Sequence, residues 1–158
     1  MAYEDWVDWR RANGSACYVC PLNGQRKVGS IGDPNAGPIV ILEAPGAEEE
    51  SYNAAHQKYG VPIVGRSGWA LRHKLLAPAG LVEIEEKEHG WPRVTKWNCF
   101  VMNRIMCRPP GNKINSPEGK KAVACCSNSA KALLSTLLAR NPKRVLVPAG
   151  GTGLDLLT

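Results

Sequence analysis

No apolar run in this 158-residue chain approaches the ~20 residues that a helix needs to cross a bilayer. The N-terminus, Met1-Ala2-Tyr3-Glu4-Asp5-Trp6, lacks the apolar core of a secretory signal. Internal repeats and low-complexity tracts are missing too, so solenoid architectures are out. These absences set the expectations of no membrane contact and a reducing, cytoplasmic location. In such a compartment six cysteines argue for metal ligation before disulfides. What is present is ordinary in bulk: 44% hydrophobic and 22% charged residues, enough chain for one domain over 1–158 with a real core. The formal charge of +6 favours polyanions such as nucleic acid, although a mildly basic protein without an anionic partner is as common.

Three short apolar runs read as buried strands: Pro38–Leu42, Cys99–Met102 and Arg144–Val147. Helical patterns alternate with them. Trp6, Val7 and Trp9 mark a short helix before the first cysteines. Ser67 is placed to cap a helix carrying Trp69, Leu71, Leu75 and Leu76, ending near Gly80. Ser116-Pro117-Glu118 opens a longer helix through Ala132, Leu133, Leu134, Leu137 and Leu138, which stops before Asn141-Pro142. The alternation predicts an α/β fold, a three-layer sandwich whose central, mainly parallel sheet is flanked by helices. Ligands of such sheets bind beyond the carboxyl ends of the strands. Here those exits read Glu43-Ala44-Pro45-Gly46, Asn103 followed by Cys107-Arg108-Pro109-Pro110, and Pro148-Ala149-Gly150-Gly151, so a pocket is expected where they converge. Ser51–Tyr59 and the Glu- and Lys-rich Val82–Lys96 read as insertions, the second as a solvated loop.

Cys17 and Cys20 form a C-x2-C turn that presents two thiolates to one metal centre. Zinc ribbons repeat that turn after a short interval. This chain instead offers Cys107, 87 positions beyond Cys20, and then Cys126, 19 further on. Single ligands scattered over separate elements suit an iron–sulfur cluster, whose irons stand apart from one another. Closing such a long loop is worth ~4 kcal/mol in the chain-entropy picture. Cys126 is the expected fourth ligand because Ala130, Leu134 and Leu137 share its helix face, with Cys125 as the alternative; Cys99, inside a strand, reads as a buried small hydrophobe.

The ordered series Cys17-x2-Cys20-Pro21-Leu22, Arg26 and Val28, Ile41 through Glu49, Gly60 through Gly68, and Asn103 through Lys113 resembles the iron–sulfur, family-four type of uracil-DNA glycosylase. Pro142-Lys143 through Gly150 resembles that family's third strand. The resemblance covers about residues 17–157. It implies a [4Fe–4S] cluster with a structural role, since glycosidic hydrolysis moves no electrons. It also implies excision, in DNA repair, of uracil or a related deaminated base flipped out of DNA, by a monomeric hydrolase. In that pattern Asn103 reads the uracil edge, donating to O4 and accepting from N3–H. Glu43 with Ala44, Pro45 and Gly46 lines the sugar side and helps place the water, Glu49 matches a further family acid, and Arg66, Ser67, Arg108 and Lys113 meet the DNA backbone. Bland alternatives stand beside these roles: a turn residue at Asn103, a turn cap at Glu43, a solvated acid at Glu49.

The chain departs from the pattern at Leu42, where the family has Gly, and at Ile63, where it has a stacking Phe worth ~1–3 kcal/mol per base. Family members also continue into another strand and a His-Pro-Ser loop whose histidine stabilises the leaving uracil anion, whereas this sequence ends at Thr158; His56, His73 and His89 stand in the wrong contexts to replace it. The expectation is therefore either a shortened sequence of an enzyme or a protein of reduced activity. A catalytically impaired DNA-binding module and an unrelated zinc-binding domain are the alternatives.

Overall fold

Alternation along two central strands decides the architecture. In the computed structural model, which describes residues 3–85 and 93–157, β2 (Ile39–Leu42) lies between two parallel neighbours, β5 (Phe100–Asn103) and β6 (Leu146–Pro148). A two-residue strand, β1 (Ile31–Gly32), adds an antiparallel edge to β5, giving the order β1-β5-β2-β6. Ile39 and Ile41 of β2, with Phe100 and Met102 of β5, face one side. There they meet Trp6 from α1 (Tyr3–Ala12), Leu133, Leu134 and Leu137 from α4 (Pro117–Arg140), and Leu156 just after α5 (Gly151–Asp155). Val40, Val101 and Cys99 face the other side, against Ile63, Leu76 and Val82. The result is the expected mixed α/β fold with a mostly parallel sheet between flanking layers. Each fully buried Leu or Phe adds roughly 1.5–3 kcal/mol of transfer free energy.

Helix α4 follows its predicted limits. Ser116 caps it by accepting from Gly119 N at 3.1 Å, Pro117 takes the first position, and the chain leaves at Asn141. With a mean hydropathy of 1.3 over its apolar window, it is the one stretch among the described residues long and apolar enough to span a membrane. That corrects the expectation that none exists; in this fold the apolar side covers the sheet.

Other expectations shift. The helix after Gly65 is capped by Gly65 backbone rather than by Ser67, and α3 (Arg66–Ala70) continues as a π-helical segment, Leu71–Leu76, with Gly80 in a left-handed turn at φ 74° beyond it. Trp69 and Leu75, expected on its apolar face, are 42% and 53% exposed. The wider π turn rotates successive side chains away from 3.6-residue spacing. The supposed solvated loop is ordered at both flanks, which form an antiparallel pair, β3 (Val82–Glu85) and β4 (Arg93–Trp97). Val82, Ile84, Val94 and Trp97 pack toward the Val40 side of the sheet, with a register shift between Glu83 and Ile84 that places Val94 and Trp97 three apart, a pattern masked by the intervening charged residues. The centre of that segment, with His89, lies outside the described residues. Ser51–Tyr59 follows a short α2 (Ala47–Ser51) and is held by Arg26, whose guanidinium donates to the carbonyls of Glu50, Tyr52, Gln57, Lys58 and Tyr59.

Candidate active site and thiol cluster

Two sites hang from the carboxyl ends of the parallel strands. The first is a cavity of about 540 Å³. The β2 exit contributes Leu42 through Glu49, the β6 exit Ala149, and the stretch following β5 Asn112 and Ile114; Ile63, Gly65, Arg66, Ser67, Gly68 and Leu71 close the far wall. Three carboxylates, Glu43, Glu48 and Glu49, line it against one arginine, Arg66. Such a lining favours positive charge and repels anions.

Glu43 is half-buried, and its Oε2 accepts from Thr152 Oγ1 at 2.8 Å and from Thr152 N at 3.3 Å. The carboxylate thus bonds the start of α5. The other oxygen, Oε1, stands against Gly150, where a Cβ would come within 2.6 Å. Glu49 Oε1 accepts from Gly65 N at 3.4 Å, and its Oε2 crowds Gly46.

Asn103 does not line the cavity. It is 3% exposed and sits in register with Leu42, one strand across from the stretch that does. Backbone bonds from Arg104 N to Leu42 O (2.7 Å) and from Ile105 N to Glu43 O (3.1 Å) lock the two exits together. Among the described residues its Oδ1 is buried with no hydrogen-bond partner. A lone acceptor costs about 1–3 kcal/mol, which native folds rarely tolerate without a use.

Ile63 is in the cavity wall at the expected position, with a backbone that was not foreseen: φ is 55°, a left-handed conformation rare for a β-branched residue. Its carbonyl accepts from the buried Arg72 guanidinium, and Gly68 packs so closely that an added Cβ would lie 2.2 Å from the Ile63 carbonyl carbon. Of the four residues expected at DNA, Arg66 and Ser67 are exposed at the cavity rim. Arg108 and Lys113 are outside the lining, and Arg108 Nε is spent on Asn112 Oδ1 at 2.6 Å.

The second site gathers cysteines from three segments. The Cys17–Val19 turn is stitched to α4 by Ala16 N to Cys125 O at 2.9 Å, while Lys27 bridges to Cys107 and Val28 N donates to Met106 O at 2.8 Å. Cys107 and Cys126 are buried with Leu22, Ile105 and Ala122, and Cys20 packs against them. Cys17, Cys20, Cys107 and Cys126 lie close enough to interact electrostatically, and Cys125 stands against Cys20 as well. Burial pushes the Cys107 thiol up to about 12 and raises Cys17 and Cys20, while Lys27 opposes the rise at Cys17 and Cys107. Cys99 stands apart, fully buried and pushed up by burial to about 11, as a core thiol.

Among the described residues no three His, Cys, Asp or Glu side chains stand as a single-ion site. Five thiols from three segments share this region, with two buried cations, Lys27 and Arg10, close to them.

Arg10 and Thr152 were missed in the sequence. Arg10 carried a signal, since it lies four residues after Trp6 and three after Val7, on the buried face of α1. Thr152 carried none, because its partner Glu43 is distant in the chain.

The fold is a mixed α/β protein with a cavity at the strand exits and its N-terminal turn bonded to α4. No family model matches the chain. Its curated relatives include the type-4 uracil-DNA glycosylase of Thermotoga maritima, 30% identical over 141 residues that make up 88% of this chain and 59% of that protein. The type-4 uracil-DNA glycosylase of Pyrobaculum aerophilum is 31% identical over 111 residues, 69% of this chain and 45% of its own length. The chain is a relative of the type-4 uracil-DNA glycosylases, as its motifs suggest, and spans less than two thirds of the length of the relatives it matches.

Proposed function

We propose that this chain hydrolyses the N-glycosidic bond of uracil, or of a related deaminated base, flipped out of DNA during repair. The observation that carries the reading is the buried, unpartnered Oδ1 of Asn103 at the strand exit beside the cavity. Uracil N3–H supplies the missing donor, and the Asn103 amide donates to O4. Cytosine presents a bare N3 and an amino group there, so the same amide rejects it. As the base leaves, positive charge grows on the sugar. Glu43, fixed by Thr152, is the carboxylate that stabilises it and orients water, with Glu49 contributing field from the same stretch of the lining. Arg66 and Ser67 take phosphates at the rim, with Arg108 and Lys113 further along the strand.

Cys17, Cys20, Cys107 and Cys126 would hold a [4Fe–4S] cluster, with Cys125 as the alternative ligand. Bound there, the group supplies a structural crosslink and negative charge; no proton or glycosyl transfer passes through it. The six free thiols support a reducing, cytoplasmic setting. A monomer working as one domain completes the proposal.

The test uses single-stranded and duplex oligonucleotides carrying one uracil. Strand cleavage after alkali is the expected result; a mobility shift with no cleavage contradicts excision and leaves a DNA-binding module.

A further inference from the structure

We propose that Trp69, backed by His73, is a stacking platform at the cavity rim for the nucleobase next to the flipped nucleotide. The inference rests on the reading of this chain as a protein that acts on uracil in DNA. Singly exposed apolar side chains are common and need no ligand. Trp69 is set apart by its position. It is 42% exposed on α3, three residues beyond Arg66 and two beyond Ser67, the exposed pair at the cavity rim. Spacing of three brings Arg66 and Trp69 to one side of the helix, roughly 4.5 Å apart along its axis. Ser67, Gly68 and Leu71 line the cavity, and Trp69, between them in the chain, does not. It stands outside the mouth, where the neighbour of an inserted base lies.

The indole is held in place. His73, one turn further on, stacks against it with ring centroids 4.6 Å apart and planes at 19°, and the Trp69 carbonyl accepts from His73 Nδ1 at 3.0 Å. Trp69 N donates to the Gly65 carbonyl at 2.7 Å. A ring fixed before binding loses little freedom when a base settles on it. Charge around it suits a phosphate-bearing partner. From Arg66 to Leu76 the chain carries Arg66, Arg72, His73 and Lys74 and no Asp or Glu, and Arg66 and Lys74 are exposed. An aromatic face among cations is the pattern that single-stranded nucleic acid binds, because every base has a π face. The cavity itself offers no such contact: among the described residues its lining holds no Phe, Tyr, Trp or His, and Ile63 presents no ring. Stacking then comes from the rim, on the base that stays outside.

The experiment measures binding of the parent, Trp69→Ala, Trp69→Phe and Leu75→Ala to single-stranded oligonucleotides with one uracil, their flanking bases intact or replaced singly by abasic sites. Leu75, 53% exposed on the adjoining π-helical segment, is the apolar control. Trp69→Ala is expected to weaken binding to the intact strand about tenfold or more. Its melting temperature and salt dependence should match the parent, since no phosphate contact is lost. Trp69→Phe should keep most of the affinity and Leu75→Ala all of it. One flanking abasic site should cost the parent about what Trp69→Ala costs and cost Trp69→Ala almost nothing more, the non-additivity of two partners in one contact. Trp69→Ala binding as tightly as the parent, losing as much as the parent at every abasic position, or losing no more than Leu75→Ala overturns the platform and leaves the glycosylase reading standing. A parent that binds none of these strands overturns both.

Discussion

The cysteine end and the cavity end of the molecule share one sheet and are built on opposite terms. At the cysteine end, segments far apart in sequence are bonded backbone to backbone, and the thiols are buried among Leu22, Ile105 and Ala122. At the cavity end, Ile63 holds a left-handed backbone, Asn103 keeps an unpartnered oxygen, and the carboxylates of Glu43, Glu48 and Glu49 crowd one lining. Strain and unmet hydrogen bonds persist only where the surroundings over-determine them. The difference teaches that the closed end supplies the stiffness with which the open end keeps a vacant acceptor.

The largest break in that contrast comes from Asn103→Ala. It is expected to cut excision by about 10²–10³-fold or more while leaving the visible spectrum of the thiol cluster intact, checked by single-turnover cleavage. Next, Cys126→Ser should strip the iron and cost stability on the order of the ~4 kcal/mol loop-closure term, whereas Cys125→Ser should keep its colour; absorbance and denaturant melts read both. Gly68→Ala drives a methyl group into the Ile63 backbone and should destabilise by about 1–3 kcal/mol, moving the cavity wall and not the iron content.

A pH titration sharpens the same comparison on the core thiol. Cys99 is raised from an ordinary value near 9.0 to about 11 by burial, so the folded state keeps a proton that the unfolded chain gives up first. Its contribution is complete below about pH 9 and is lost as pH climbs toward 11, a fall of roughly 2–3 kcal/mol. Cys99→Ala should flatten that slope in urea melts across the window. The smallest effect is expected from Thr152→Val, which removes the hydroxyl held by Glu43 and should cost about 1 kcal/mol, seen as a modest loss in kcat.

The two ends were also unequally legible in the sequence. Strand positions, the α4 cap and stop, and the burial of Cys126 followed from local pattern: alternation, Ser-Pro-Glu spacing, and the buried helix face of Ala130, Leu134 and Leu137. The cavity end depends on contacts that local pattern does not carry. Ile63 reads as an ordinary apolar residue until Gly68 and Arg72 fix its backbone, and Glu43 meets Thr152 across 109 positions. The β3–β4 pair was hidden because its outward residues are the charged ones that suggest a loop. Arg108 and Lys113, expected at the DNA backbone from motif alone, lie outside the cavity lining.

The most direct measurement is the iron and acid-labile sulfide content of anaerobically purified protein. About four of each per chain are expected from a four-thiolate cubane. Protein that carries neither, yet melts as cooperatively as the loaded form should, contradicts the view that the cysteine end is built around a cluster.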